Sequence, residues 1–352
     1  MELERNLPFE SKDYLARLDG AVSELWDPLW RLRTKLKPVE RALLACSPVR
    51  RLHFLHHGGG SCLSTPHTHS RLQHTLGTFS LLAHFCPEND ILRAAALLHD
   101  VGHAPFCHTL EGLGGVDHHR WTRDRILSPP IADILIQHNR APQSVLAYIN
   151  GEPANPLRND DGILHADHLD CWVRSAQVGG ILPRPAPEIL ARLRLRGPYL
   201  DTDIETAELL VDLIVAEAHF YCTAANLGPN TILKHLVQQL LDAGVLTTDA
   251  LATMTDSMVE RALFETPITA EEACWLWYQP RAIIVRRLGD EEDVPPGAHI
   301  VQMDHLYLAM PLADGHIVTQ VSPRADGLLA RAQELHGRYV VYWDNAVPYS
   351  PK

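Results

Sequence analysis

The chain has 352 residues, 46% of them hydrophobic and 21% charged, a globular composition that excludes a disordered or fibrous protein. Its formal net charge of −12 argues against a protein that coats nucleic acid, because such proteins carry positive charge to neutralise phosphates. A small anion stays compatible, since local cations or a metal outweigh a distant negative field.

No run reaches the roughly 18 apolar residues of a membrane span. Residues 1–14, MELERNLPFESKDY, hold acidic groups and no apolar run, so a secretory signal is not expected. The chain through about residue 50 reads as mostly helical, with Pro28, Pro38 and Pro48 cutting residues 20–50 into short pieces. Residues 52–70 read as a loop punctuated by Gly58-Gly59-Gly60 and Pro66. The pattern predicts a helix from about His69 to Phe85, ending before Pro87. A second runs from about Glu88 to Val101, with Asn89 or Asp90 as cap and Gly102 as stop. Residues 205–222 read as a buried helix. Residues 230–243 put Ile232, Leu233, Leu236, Val237, Leu240 and Leu241 on one helical face, with Gly244 where a left-handed residue ends it. Thr269 and Glu272 have capping-box spacing before ACWLWY. After about residue 280, RAIIVRRL, HIVQMDHLYLAM, HIVTQVSP and RYVVYWDN read as strands and RADGLLARAQELHG as a helix. The expected architecture is mainly α: a helical domain over 1–278 and a small α+β appendage over 279–352.

The seven cysteines form no C-x-x-C pair and their number is odd, which reads as reduced thiols in a cytoplasmic protein. Histidine is the unusual residue. Twelve of the 21 lie between His53 and His119, and imidazole is both the commonest metal ligand and the usual proton carrier near neutrality. Four segments concentrate this chemistry: HSRLQH with His69, Arg71 and His74; LLHDVGHAPFCHTLE with His99, Asp100, His103, His108 and Glu111; DHHRWT with His118 and His119; and ADHLDCWVRSA with Asp167, Asp170 and Arg174. A carboxylate at the end of the apolar helix before Asp100 is expensive to bury without a cation. Mixed imidazole and carboxylate ligands suit iron, manganese, cobalt, nickel or zinc. Gly102 and Pro105 predict a turn that throws His103 and His108 across a pocket mouth. Asp167, Asp170 or Cys171, and Arg174 fall on one side of a helix, where the carboxylate could hold a metal and the guanidinium could grip phosphate.

These residues resemble the HD-domain metal-dependent phosphohydrolases, and in particular the deoxynucleoside-triphosphate triphosphohydrolase (dGTPase-like) branch. The pattern H…HD…D falls on His74, His99-Asp100 and Asp167. Flanking blocks occur in the same order: DPLW at 27–30, SPVRRLHFL at 47–55, HSRLQHTLG at 69–77, LLHDVGHAPFCH at 97–108, HHRWT at 118–122 and ADHLDCWVRSA at 166–176. The resemblance covers about residues 25–245. It implies a helical HD core in which His74, His99, Asp100 and Asp167 bind one divalent metal, with magnesium as a possible companion of substrate phosphates. It implies phosphate contacts from Arg71 and Arg174, and a reaction centre lined by His103, His108 and His118. His108 would be the general acid or the group aligned on phosphorus, with Glu111 one turn on as its orienting carboxylate. The chemistry needs charge neutralisation on phosphate and a proton for the leaving oxygen.

The chain departs from that branch where the sugar is read. A Gln-Leu pair is replaced by His57 and Gly58, and a tyrosine and an aspartate near the last metal ligand are replaced by Cys171 and Ser175. The glutamate that usually follows the catalytic histidine is His119. Tyr221 could flank the base or sugar pocket. The expected function is therefore phosphohydrolysis of a nucleotide or nucleotide-like ester, with triphosphohydrolase action on a (deoxy)nucleoside triphosphate as the first reading. A phosphomonoesterase or pyrophosphohydrolase on a modified nucleotide or other metabolite is the alternative, and a non-catalytic nucleotide sensor the reading from another class. The expected partner is a phosphorylated small molecule, with no membrane or nucleic acid and with homo-oligomers common in the family. His53, His56, His57, His67 and His69 read equally as pocket rim or polar loop. Gly58-Gly59-Gly60 lacks the Gly-Lys-Ser/Thr of a P-loop. The run Arg31, Arg33, Lys35, Lys37 and Arg41 reads as a solvated face, and Trp275 and Trp277 as core or interface.

Overall fold

The computed structural model describes residues 18–289 and 293–344; the reading of residues 1–14 lies outside them. The first described element corrects the helical expectation. Strands β1 (Glu24–Asp27) and β2 (Leu32–Lys35) form an antiparallel hairpin. Its turn closes because the Trp30 N–H donates to the Asp27 carboxylate at 2.8 Å and Arg31 takes a left-handed φ of 52°. Leu25 and Trp30 are buried beneath it.

Helix α1 (Pro38–Ala45) precedes α2 (Arg71–Phe85), and α2 starts at a capping box in which the Ser70 hydroxyl and the Gln73 side chain satisfy each other's backbone N–H. Helix α3 (Asp90–Leu98) is capped by Asn89, as expected, and ends by His99 rather than Val101. Helices α4 (His118–Ile126) and α5 (Ala166–Val178) follow. Strands β3 (Arg194–Arg196) and β4 (Tyr199–Thr202) form a short antiparallel pair before α6 (Ile204–Tyr221). Helix α7 (Ala224–Asp242) begins six residues before the expected start and carries Pro229 inside it. Pro229 cannot donate to the Ala225 carbonyl, and the Ser64 hydroxyl takes that carbonyl instead at 2.5 Å. Gly244, at φ 68°, ends the helix as expected.

Helices α8 (Asp256–Glu265) and α9 (Pro267–Tyr278) follow. Thr269 does not cap α9: it lies inside the first turn, and its hydroxyl donates to the Leu263 carbonyl of α8 at 2.7 Å. Strands β5 (Ile283–Arg287), β6 (His299–Met303) and β9 (Gly337–Trp343) form an antiparallel sheet in the order β5-β9-β6. The expected strand over HIVQMDHLYLAM stops at Met303. The one over HIVTQVSP shrinks to β8 (His316–Ile317), which pairs with β7 (Leu312–Ala313), and Val318–Val321 is helical. Strand β7 adds in parallel to β4. Helix α10 (Pro323–Gln333) packs on α6 and is capped by Ser322.

Helix α2 lies between α3 and α5, and α5 packs on α6. Leu306, Met310, Ala313 and Val318 lie in the same apolar core as Leu72, Val173 and Leu210. A second core joins α7, α8 and α9 to the β5-β9-β6 sheet through Leu236, Val259, Leu276 and Val341. Among the described residues, no helix is long and apolar enough to cross a membrane.

Candidate metal centre and active site

Three helices bring the four expected ligands to one point. His74 projects from the first half of α2, His99 and Asp100 follow the end of α3, and Asp167 lies in the first turn of α5. His74 Nε2 is 3.0 Å from Asp167 Oδ1 and 3.7 Å from Asp100 Oδ2, while His99 Nε2 is 3.6 Å from Asp167 Oδ1 and 3.4 Å from Asp100 Oδ2. Ligand atoms of His74, His99 and Asp167 all lie within 4.8 Å of one another.

Ring tautomers are set from behind. A carboxylate or a carbonyl can only accept, so His74 Nδ1–H donates to Asp170 at 2.9 Å and His99 Nδ1–H donates to the Ala96 carbonyl at 2.8 Å. Both Nε2 atoms therefore face the cluster, the arrangement of metal-binding histidines with an outer carboxylate or carbonyl partner. His99 Nε2 is buried and has no hydrogen-bond partner. Burial opposes charge on both rings, yet Asp167 and Asp170 raise the pKa of His74, and Asp100 and Asp167 lift that of His99 to about 9. Burial alone would raise Asp100 and Asp167, but the adjoining His99 overrides it, aided by Arg71 at Asp100 and by His74 at Asp167, and both stay well below the usual carboxylate range. The field thus favours positive charge among these four side chains, and a divalent cation fits both that field and the orphaned nitrogen.

Asp170 is the hub behind the cluster. It is fully buried and accepts from His74, from Trp30 Nε1 at 2.7 Å, and from Arg174 Nε at 2.9 Å and Nη2 at 2.8 Å. Arg174 Nη2 also donates to Asp27 at 3.1 Å. This corrects the expectation for Arg174: its guanidinium is committed to two buried carboxylates and does not line the cavity in front of the cluster. Gly77 makes room for the hub, since a Cβ there would lie 1.9 Å from Asp170 Oδ1. Arg71 does face the cavity. It donates to Asp100 at 3.0 Å, to the His57 carbonyl at 3.1 Å and to Cys107 Sγ at 3.2 Å, leaving two of its five N–H bonds.

His103, His108 and His118 gather on the far side of Asp100. His103 Nε2 is 3.2 Å from Asp100 Oδ1. Their ring nitrogens also approach within 4.8 Å, but His103 and His118 are stacked, with planes 20° apart and centroids 4.3 Å apart. In-plane lone pairs of stacked rings run side by side and do not converge on one ion, so this triad suits proton handling better than coordination. His108 meets both edge-on, at 4.7 and 5.1 Å. It is open to the cavity, yet the protein packed around it, then Arg71 and His118, push its pKa well below 6.5. Glu111 pairs with His118 rather than His108: His118 Nδ1–H donates to Glu111 Oε2 at 2.8 Å. The loop geometry explains the change, because Glu111 follows the 3₁₀ turn Cys107–Leu110 and turns back toward the start of α4.

The cavity has a volume of about 1080 Å³. His57, Cys171, Ser175 and Tyr221, the residues that the sequence offers for substrate contact, line it. His57 stacks on His69 at 4.8 Å. Sequence reasoning missed Glu217 and Tyr307, which share the wall with Tyr221 and Cys171. Burial lifts Glu217 to about 7, against hydrogen bonds from Tyr221 and Ser175. A carboxylate inside the largely apolar run LLVDLIVAEAHFY, four residues before Tyr221, was the available signal for it; Tyr307 left none.

Residues 71–168 match the HD domain family. The uncharacterized protein YwfO of Bacillus subtilis is 37% identical over 239 residues, 60% of this chain and 54% of YwfO. The uncharacterized protein MJ1154 of Methanocaldococcus jannaschii is 39% identical over 62 residues, 16% of this chain and 14% of that protein. The chain thus spans about half the length of the first relative and less of the second. Two crystal structures share the fold: a hypothetical protein from Aquifex aeolicus, with a TM-score of 0.66 at 18% identity over 92% of this chain and 96% of that one, and a phosphohydrolase from Bacteroides thetaiotaomicron, with a TM-score of 0.69 at 15% identity over 92% and 100%. The chain carries an HD domain. That domain holds the imidazole–carboxylate cluster of His74, His99 and Asp167.

Proposed function

We propose that the protein hydrolyses a phosphate ester or anhydride of a nucleotide or nucleotide-like molecule, with triphosphohydrolase action on a nucleoside triphosphate as the first reading. The observation that carries this is the convergence of His74, His99, Asp100 and Asp167 at one end of a cavity that also holds Arg71 and the His103–His108–His118 triad. Those four side chains would hold the metal, which when bound neutralises phosphate charge and lowers the pKa of a water. Arg71, braced by Asp100, offers its two remaining N–H bonds to phosphate oxygens. Glu111 fixes His118 with Nδ1 protonated, so Nε2 is the atom that exchanges a proton with the leaving oxygen, and His108 stands at the exposed centre where phosphorus would lie. Lys234 and Arg158 add cations along the cavity wall for further phosphates.

His57, Cys171 and Ser175 favour a second reading, a phosphomonoesterase or pyrophosphohydrolase whose leaving moiety is a modified nucleotide, because they differ from the sugar-reading residues of the dGTPase-like branch. Purified protein loaded with Mn²⁺, Fe²⁺ or Co²⁺ and given a panel of ribo-, deoxyribo- and modified nucleotides tests both. Inorganic triphosphate from a triphosphate supports the first reading. Pyrophosphate or orthophosphate supports the second, and no release from any ester refutes both.

A further inference from the structure

We infer that Asp256, at the start of α8, is a positioning residue that holds the turn aiming His108 into the cavity; the inference rests on the reading of His108 given above. His108 follows two consecutive non-glycine residues in the left-handed region, Phe106 at φ 52° and Cys107 at φ 50°. Side chains other than Asn, Asp and Gly rarely adopt that conformation, and two in succession persist only where the surroundings enforce it. Asp256 supplies the enforcement. Its carboxylate is 4% exposed. Oδ1 accepts the Phe106 N–H at 2.7 Å, and Oδ2 accepts the His56 N–H at 2.6 Å and the His56 Nδ1–H at 2.8 Å. One buried carboxylate therefore ties the His108 turn to the loop whose next residue, His57, lines the cavity.

The segment around Asp256 is itself stitched to the same turn. Arg51 bridges the Met254 carbonyl at 2.9 Å and the His103 carbonyl at 2.8 Å, and Arg125 donates to the carbonyls of Val101 and Ala252. Residues 252–256 thus brace the stretch 101–106 at three points, and only the Asp256 contact lands on the left-handed pair. Asp256 is not among the residues that line the cavity, so it acts on the reaction through the turn it holds.

The test is a double-variant cycle with His108→Ala, read by turnover of whichever ester the wild type hydrolyses and by amide hydrogen exchange over residues 104–108. Asp256→Ala is expected to lower kcat on the order of 10²-fold, the scale set by misplacing a catalytic group by about 1 Å, with KM and bound Mn²⁺ unchanged. In the His108→Ala background it is expected to lower kcat no further. Exchange over 104–108 rises in the variant while α2 stays protected. Asp256→Asn, which keeps one acceptor oxygen for Phe106 but turns a donor toward His56, falls between and serves if the alanine variant does not fold. Equal losses with and without His108, or exchange that does not change, overturn the inference. If the wild type hydrolyses no ester, the functional reading fails while the exchange measurement still decides the clamp.

Discussion

Replacing Asp170 by asparagine tests the hub behind the metal cluster most directly. Asp170 is fully buried and receives four donors: His74 Nδ1, Trp30 Nε1, and Arg174 Nε and Nη2. Asparagine keeps the shape but offers one acceptor oxygen and an amide that points N–H groups at other donors. Arg174 is then left with Asp27 as its remaining carboxylate. Removing one partner of a buried ion pair costs about 3–5 kcal/mol, which for a chain of this size lowers Tm by roughly 4–7 °C. His74 also loses the carboxylate that raises its basicity, an outer-sphere loss worth about 10–100-fold in metal affinity. Thermal melts in chelator isolate the first effect and calorimetric Mn²⁺ titration the second. Adding Arg174→Met removes the stranded cation, and with it the charge that opposes the burial-raised pKa of Asp27. The double variant should regain much of the stability and none of the metal affinity. An Asp170→Asn protein with unchanged Tm and unchanged Mn²⁺ affinity would refute the hub.

Three further outcomes are expected. Gly77→Ala places a methyl 1.9 Å from Asp170 Oδ1 and 2.2 Å from Arg174 Nη2, so it should destabilise by about 3 kcal/mol or more and weaken metal binding, measured by urea unfolding and metal content. Glu217 has a folded pKa of about 7 against an ordinary 4.5, so the folded state holds its proton more tightly than the unfolded chain. Wild-type stability relative to Glu217→Gln should be highest below pH 4.5, fall by roughly 3 kcal/mol as pH rises to 7, and stay flat above; urea titrations showing no change across that window would contradict the burial argument. Chelation should lower Tm, because free metal at 100 times its Kd contributes about 2.7 kcal/mol, and Asp167→Ala should abolish the difference between melts with and without metal.

The metal-binding residues could be named from the chain because the H…HD…D pattern and its flanking blocks resemble a known family, although the fold has to bring positions 74, 99–100 and 167 together. His99-Asp100 ends an apolar helix, Gly102 and Pro105 force the turn, and Ser70 and Gln73 announce α2. Gly102 is forced because a Cβ there would lie 2.2 Å from the Thr122 nitrogen. What could not be read depends on partners far away. Arg174 looked like a phosphate ligand because its helix face is right, and only the fold brings Asp27, 147 residues earlier, to claim it. The hairpin at 24–35 turns on Arg31, a left-handed residue with no Gly or Asn to mark it. Helix α7 runs through Pro229 because Ser64 supplies the missing donor from another segment. Glu111 is expected to orient His108, one turn back, and the direction of the loop after Leu110 gives it to His118 instead.

The cavity draws its wall from different stretches of the polypeptide: the clustered imidazoles and carboxylates come from residues 71–167, whereas Glu217, Tyr221 and Tyr307 come from 217–307, with the Tyr307 ring centre 6.2 Å from that of His108. Residues open to a bound molecule thus come from both parts of the chain, His57, Cys171 and Ser175 from the earlier part and Glu217, Tyr221 and Tyr307 from the later. Changes in the later stretch, including the irregular link after Met303, would reshape that wall without replacing any of the four side chains of the imidazole–carboxylate cluster.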